Sequence, residues 1–262
     1  MFHMRKFIYL ILISVLLFSL TSHGVVGEED KVLYQKDVDR MLEEGNYNFS
    51  GCIFKENINF SGITLIDADF SNAVFEEEVN FKNTTFKNTD DKDTKFIQTH
   101  FKRNAHFEDA IFEGRVAFNS ATFEQAVFFQ RENNKEKIAF QKGVSFSHTR
   151  FVGYADFGDL CFKDYANFEK TIFEGKVNFI NTKFLNGGRF NNTEFYGNVD
   201  FYKAEFNGDD GYTIFEDVKF KGVTYFRETI FFENVSFDNS RFGEKVYFNF
   251  AEFKGNKTKF EN

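Results

Sequence analysis

Three acids in one short stretch, Asp90, Asp91 and Asp93, and two in another, Asp209 and Asp210, come nearest to a chemical site by type and spacing. Clustered carboxylates in a loop suit a hard cation such as Ca²⁺, which takes a cage of oxygen ligands. Neither cluster has the ligand spacing or the closing bidentate Glu of a calcium loop, so both read as solvated turn charges. His100, His106 and His148 occupy different positions of the chain's periodic pattern, whereas a metal site needs ligands that converge. Cys52 and Cys161 are too far apart in an elongated chain to suggest a disulfide. No nucleophile motif, phosphate loop or paired-acid signature is present. The residues point away from an enzyme and imply no cofactor and no metal.

What must position these residues is a repeat. Phenylalanine supplies 42 of the 262 residues and proline none, where average usage would give roughly a dozen prolines. From Phe96 onward the phenylalanines recur at steps of five and six, as in Phe107, Phe112, Phe118 and Phe123, and again in Phe157, Phe162, Phe168, Phe173, Phe179, Phe184, Phe190 and Phe195. Steps of five along a helix would throw successive rings about 140° apart, so a helix is excluded. Two residues before most ladder phenylalanines stands a compact residue, such as Ala155, Ala166, Thr171, Val177 or Val199. Strand geometry turns residues i−2 and i to the same side, so a small and a large side chain share each inward face. Polar residues such as Asn80, Asp156, Asn167, Asn178 and Asp200 point outward between them. Short strands turning every five or six residues close only as a coil, each turn hydrogen-bonded to the next. Proline, which lacks an N–H, has no place in such a ladder.

The triplets Ala68-Asp69-Phe70, Ala155-Asp156-Phe157 and Ala166-Asn167-Phe168 resemble the unit of the pentapeptide-repeat family, and the resemblance runs over residues 49–260. The chain departs from the family pattern in using Phe rather than Leu at the centre and in lengthening every second unit to six residues. The resemblance implies an all-β fold: a right-handed quadrilateral β-helix with one unit per face and about nine 22-residue coils. Numbering the faces from Phe49, three interruptions of the beat, Lys87 to Lys95, Gln130 to Ala139 and Asn207 to Ile214, all flank face four. Tyr225 and Tyr247 each precede a face-three phenylalanine and should stack outside, with Tyr202 and Phe250 close by. These features make Asp90, Asp91, Asp93, Arg131, Glu132, Asp209, Asp210, Tyr202, Tyr225, Tyr247 and Phe250 the candidate interaction surface.

At the N-terminus, Arg5 and Lys6 precede an apolar run from Phe7 to Leu20, followed by small residues up to Gly27. This is the pattern of an export signal over 1–27, cleaved after Gly27 or Gly24, or retained as an anchor. Residues 28–48 read as a helix that caps the first coil, with Val32, Leu33, Val38, Met41 and Leu42 at helical spacing, and 49–262 as the solenoid. The net charge of −8 disfavours a nucleic-acid partner, and no later stretch is long and apolar enough to span a membrane. The sequons at Asn48, Asn59, Asn83, Asn191, Asn234 and Asn256 matter only where exported proteins are glycosylated. The expected role is an exported, non-enzymatic scaffold, structural or protein-binding, that meets a protein or cell-envelope partner at the cell surface or outside. A homodimer through the C-terminal coil is a further expectation. The resemblance also implies an alternative, an acidic DNA mimic that binds a DNA-processing enzyme such as gyrase, should the N-terminal segment not direct export.

Overall fold

A computed structural model describes residues 31–89, 92–131, 139–208 and 213–261, and Val32–Asn262 form one compact unit. The ladder closes into a parallel β-solenoid with four faces. Eight strands from Thr94–Lys95 to Thr258–Lys259 build face one, ten from Lys31–Leu33 to Arg241–Phe242 face two, and nine from Ile58–Asn59 to Val246–Tyr247 face three. Face four comes as three strands and five strands, joined by Phe140, which bridges Phe112 and Phe162. Registers run one coil apart, as in Val177↔Val199 and Asn178↔Asp200. The strand Lys31–Leu33 gives face two one layer more than the ladder alone provides.

The interior is a stack of rings. Phe157, Phe179 and Phe201 lie nearly parallel at 5.0 and 4.9 Å, while Phe168 and Phe190 meet Phe179 edge-on at 5.6 and 5.9 Å. Offset stacks along each face and edge contacts across the core are the arrangements that aromatic quadrupoles favour. The interruptions do not break the stacks. Phe96 lies on Phe70 at 4.8 Å, Phe140 on Phe112 at 4.7 Å and Phe215 on Phe190 at 4.7 Å. The rings therefore keep their register on both sides of each interruption.

Alternation of five and six reflects two kinds of corner. Leaving faces one and three, the chain makes a β-turn such as Phe179 C=O to Thr182 N–H at 3.2 Å, with Asn181 at φ 55° in the third position. A positive φ there is the mark of a type II turn, and it turns the chain in five residues. Among the described residues the six-residue corners leaving faces two and four do without it, Gly187 with φ 70° excepted. The one shortened corner follows the same rule: Leu65 to Phe70 leaves face four in five residues, and there Asp67 takes φ 52°.

Before the first coil lies α1, Gln35–Glu43. Asp37 accepts the orphan N–H of Tyr34 at its start, and at its end Gly45 with φ 68° permits a Schellman pair, Asn46 N–H to Met41 C=O and Gly45 N–H to Leu42 C=O. Leu33, Val38 and Met41 are buried in the core. The Gln35 side-chain amide accepts from Asn59 N–H at 2.7 Å and donates to Asn59 C=O at 3.3 Å, the two bonds a further strand would make. The helix thus covers part of an edge that would otherwise template pairing. Val32 differs from expectation. It belongs to the extended strand Lys31–Leu33 and is exposed, because alternation there turns Leu33 inward and Val32 out.

Candidate functional site

Most polar side chains of the described coils are committed to the coil itself. The compact residues before faces two and four are often threonines, and their hydroxyls donate to a phenylalanine carbonyl of the coil below: Thr99 to Phe70 at 2.7 Å, Thr149 to Phe118 at 2.7 Å, Thr182 to Phe157 at 2.8 Å. Small size alone accounts for alanine at these positions, but not for this recurrence of threonine. Thr182→Val, which keeps the shape and removes the donor, should cost about 1–2 kcal/mol in urea denaturation. A loss indistinguishable from zero would show that the hydroxyl contributes nothing.

The outward Asn and Asp before the face-one and face-three rings serve the turns. Asn59, Asp69, Asn80, Asp156, Asn167, Asn178 and Asp200 each accept the backbone N–H two residues on, at 2.8–3.0 Å. Face two carries ion pairs between coils: Glu76 joins Lys55 and Lys102 at 2.8 and 3.2 Å, and Glu194 joins Lys219 and Lys221 at 2.6 and 3.2 Å. The Lys219 hydrogen bond, with those of Tyr196 and Lys221, lowers the Glu194 carboxyl to about 2 against partial burial. Because the folded pKa is depressed, this stabilisation is present above about pH 4.5 and lost as pH falls toward 2. Glu194→Gln should therefore destabilise by up to about 1 kcal/mol at neutral pH, and the difference should vanish near pH 2 in thermal melts. A difference independent of pH would exclude the carboxylate as its source.

The expected site residues fall into three groups. Asp90, Asp91, Glu132, Asp209 and Asp210 lie outside the described residues. Asp93 is described and pairs with Arg115 at 2.8 Å. Arg131, expected at the surface, is instead buried, 2% exposed, with its guanidinium donating to Ala110 C=O at 3.0 Å and ion-paired with Asp109 at 3.6 Å. Burial lowers its pKa, and the Asp109 carboxylate opposes that shift. Beside it Glu108 is also buried. Burial raises its carboxyl, but hydrogen bonds from His106 and Lys82 outweigh that and hold it below the ordinary value. Each of the three histidines has a separate partner, His100 with Glu124 at 2.6 Å, His106 with Glu108 at 3.1 Å and His148 with Ser147 at 2.9 Å. Among the described residues no three His, Cys, Asp or Glu gather as a metal site, and no helix is long and apolar enough to cross a membrane. Cys52 and Cys161 form no disulfide with each other.

Tyr202, Tyr225, Tyr247 and Phe250 do come together, on three successive rungs of face three. Tyr225 and Tyr247 precede Phe226 and Phe248 and stack at 5.3 Å and 7°. One column over, Tyr202 and Arg227 follow Phe201 and Phe226, and the Arg227 guanidinium lies 5.6 Å from the Tyr202 ring and 5.1 Å from the Tyr225 ring. Lys203 stands 5.0 Å from the Tyr202 ring and pairs with Glu228. Phe250 is 85% exposed and holds φ 58° at a turn position filled in other coils by Asn72, Asn83, Asn181, Asn192 and similar polar residues. A bulky side chain is strained there. Its ring separates two shallow grooves, one of about 820 Å³ over Tyr202, Tyr225, Arg227 and Tyr247, the other of about 690 Å³ running back past Lys203, Lys183 and Cys161. Arg227 was not among the sequence candidates. Its place, one residue after a face-three ring and beside Tyr225, was the signal that could have found it.

Compared with known proteins, the chain matches a family model described as pentapeptide repeats, nine copies, over residues 49–90, 168–211 and 210–252. No curated protein matches the chain. Matched repeats at both ends of the solenoid, with one phenylalanine stack continuing between them, lead to one assignment: the chain belongs to the pentapeptide-repeat family.

Proposed function

We propose that this pentapeptide-repeat scaffold is non-enzymatic, is exported by its N-terminal segment, and presents its outer surface to a protein or cell-envelope partner. The carrying observation is the Tyr202, Tyr225, Tyr247 and Phe250 group, a set of outward aromatics that neither the turns nor the ion pairs between coils require. Exposed aromatic clusters mark interfaces. The last described coil, with Phe253 37% and Phe260 55% exposed, adds end-to-end pairing of two copies to the reading. Sedimentation that shows monomer alone at high concentration would remove that pairing.

The acidic DNA mimic gains no support from the surface. A mimic needs carboxylates left unneutralised along its length, whereas Glu76, Glu174, Glu194 and Glu205 are each paired with Lys or Arg. Fractionation with N-terminal sequencing tests export, and affinity capture from envelope and culture supernatant tests the scaffold role. The expected result is a protein lacking residues 1–27, or membrane-tethered, that retains a specific partner. Full-length protein in the cytosol with its first residues intact would overturn the reading.

A further inference from the structure

We infer that Phe250, Tyr247 and Arg227 form a two-part recognition site for an extended peptide that carries an apolar side chain next to a carboxylate. This rests on the scaffold reading and names the partner's chemistry. Arg227 is exposed, is held in place by the rings of Tyr202 and Tyr225, and makes no ion pair with any described residue. Such a guanidinium is pre-ordered for a planar carboxylate, which it binds through paired hydrogen bonds. Its neighbour Lys203 is already paired with Glu228 at 3.6 Å, whereas Arg227 acts on the Asp200 carboxylate only through space, so its guanidinium remains open to a directly bound carboxylate.

Phe250 supplies the apolar part. Its exposed ring stands one turn position from Asn249 and walls both grooves, so an extended segment can cross from one to the other beside it. A peptide fits better than a saccharide. Sugars lie on open ring faces, but Tyr225 and Tyr247 each give one face to the other and Arg227 lies over Tyr225 and Tyr202. What remains is the face of Tyr247 away from Tyr225, ring edges, hydroxyls and the Phe250 ring. These suit an apolar side chain and the polar groups of a main chain.

The test uses the full chain and two pools of short fluorescein-labelled peptides that share apolar residues, one pool acidic and the other basic. Anisotropy should show the acidic pool bound about tenfold or more tighter. Arg227→Glu should reverse that preference. Phe250→Asn should weaken binding of the acidic pool about tenfold or more with an unchanged melting temperature, since Asn suits the positive φ. Equal binding of the pools, no binding of the acidic pool, or binding unaffected by Phe250→Asn would overturn the site. So would binding of polygalacturonate that depends on Arg227 and Phe250, which would make the occupant a saccharide. Capture with wild type and the Arg227→Glu/Phe250→Asn double variant separates the two readings. A partner held equally by both leaves the scaffold role standing and overturns this site. Acidic-pool preference with no partner captured by either supports the site and counts against the scaffold role.

Discussion

Phe179→Ala should lower the stability of the solenoid by about 3–5 kcal/mol, the range for truncating a fully buried aromatic ring. Phe179 has no exposed surface and lies between Phe157 and Phe201 in its stack, with Phe168 and Phe190 against its edges. Those rings belong to coils fixed by their own backbone ladders, so they cannot collapse far into the space left. Stability in a solenoid is built from nearest-neighbour contacts, so a gap in the middle weakens coupling between the two halves as well as the net balance. Urea denaturation should therefore show a lower midpoint and a broader or two-step transition. A loss under about 1 kcal/mol would mean that the stacked interior is not what stabilises the fold. Phe250→Asn is the matched control in the same protein: it removes a ring that is exposed and strained, and should change stability by no more than about 0.5 kcal/mol.

The second large effect is expected at the corner between faces two and three, where Gly153, Gly175, Gly197 and Gly222 follow one another up the solenoid. A Cβ on Gly175 would fall on the carbonyl oxygen of Gly153, and one on Gly222 would approach Gly197 C at 2.6 Å. The obstacle is backbone already held in the ladder, so the coils would have to part. Gly175→Val should then destabilise at the upper end of the overpacking range of about 1–3 kcal/mol. Gly143→Ala provides the comparison. Its Cβ would meet nothing nearer than Tyr165 O at 3.6 Å, so the substitution should be neutral or stabilise by about 0.4–1 kcal/mol through the unfolded chain. Equal losses for the two variants would exclude close approach as the cause.

Where the chain could be read directly, the reason is local. The beat of the phenylalanines assigns each ring to a face, and the structure follows that assignment across all three interruptions. Residues one and two positions from a ring inherit their direction from the pleat, so the outward Tyr225 and Tyr247 stack as their spacing requires. Misreadings arose where direction is not set by the pleat. Val32 looked helical because Leu33, Val38 and Met41 share a helical spacing, but the strand ends and α1 begins between them. Arg131 looked exposed because it opens an interruption, yet its side chain turns back over Ala110 and Asp109 of the preceding coil. The threonine hydroxyls were counted for size alone, since their acceptors lie 25 to 31 residues away in Thr182 and Thr149.

The acids that looked most like a cation site sort the same way. Of Asp90, Asp91, Asp93, Asp209 and Asp210, the described one, Asp93, is engaged by Arg115 from the next coil. The sequence by itself determined that inward positions are filled, that they stack, and that no proline can enter, because side-chain alternation and backbone hydrogen bonding act over two or three residues. Only the tertiary structure decided which outward charges are neutralised and which are not. Arg227 lies beside Tyr202 and Tyr225 and forms no ion pair with a described acid because coils align laterally, and that alignment depends on every corner between them.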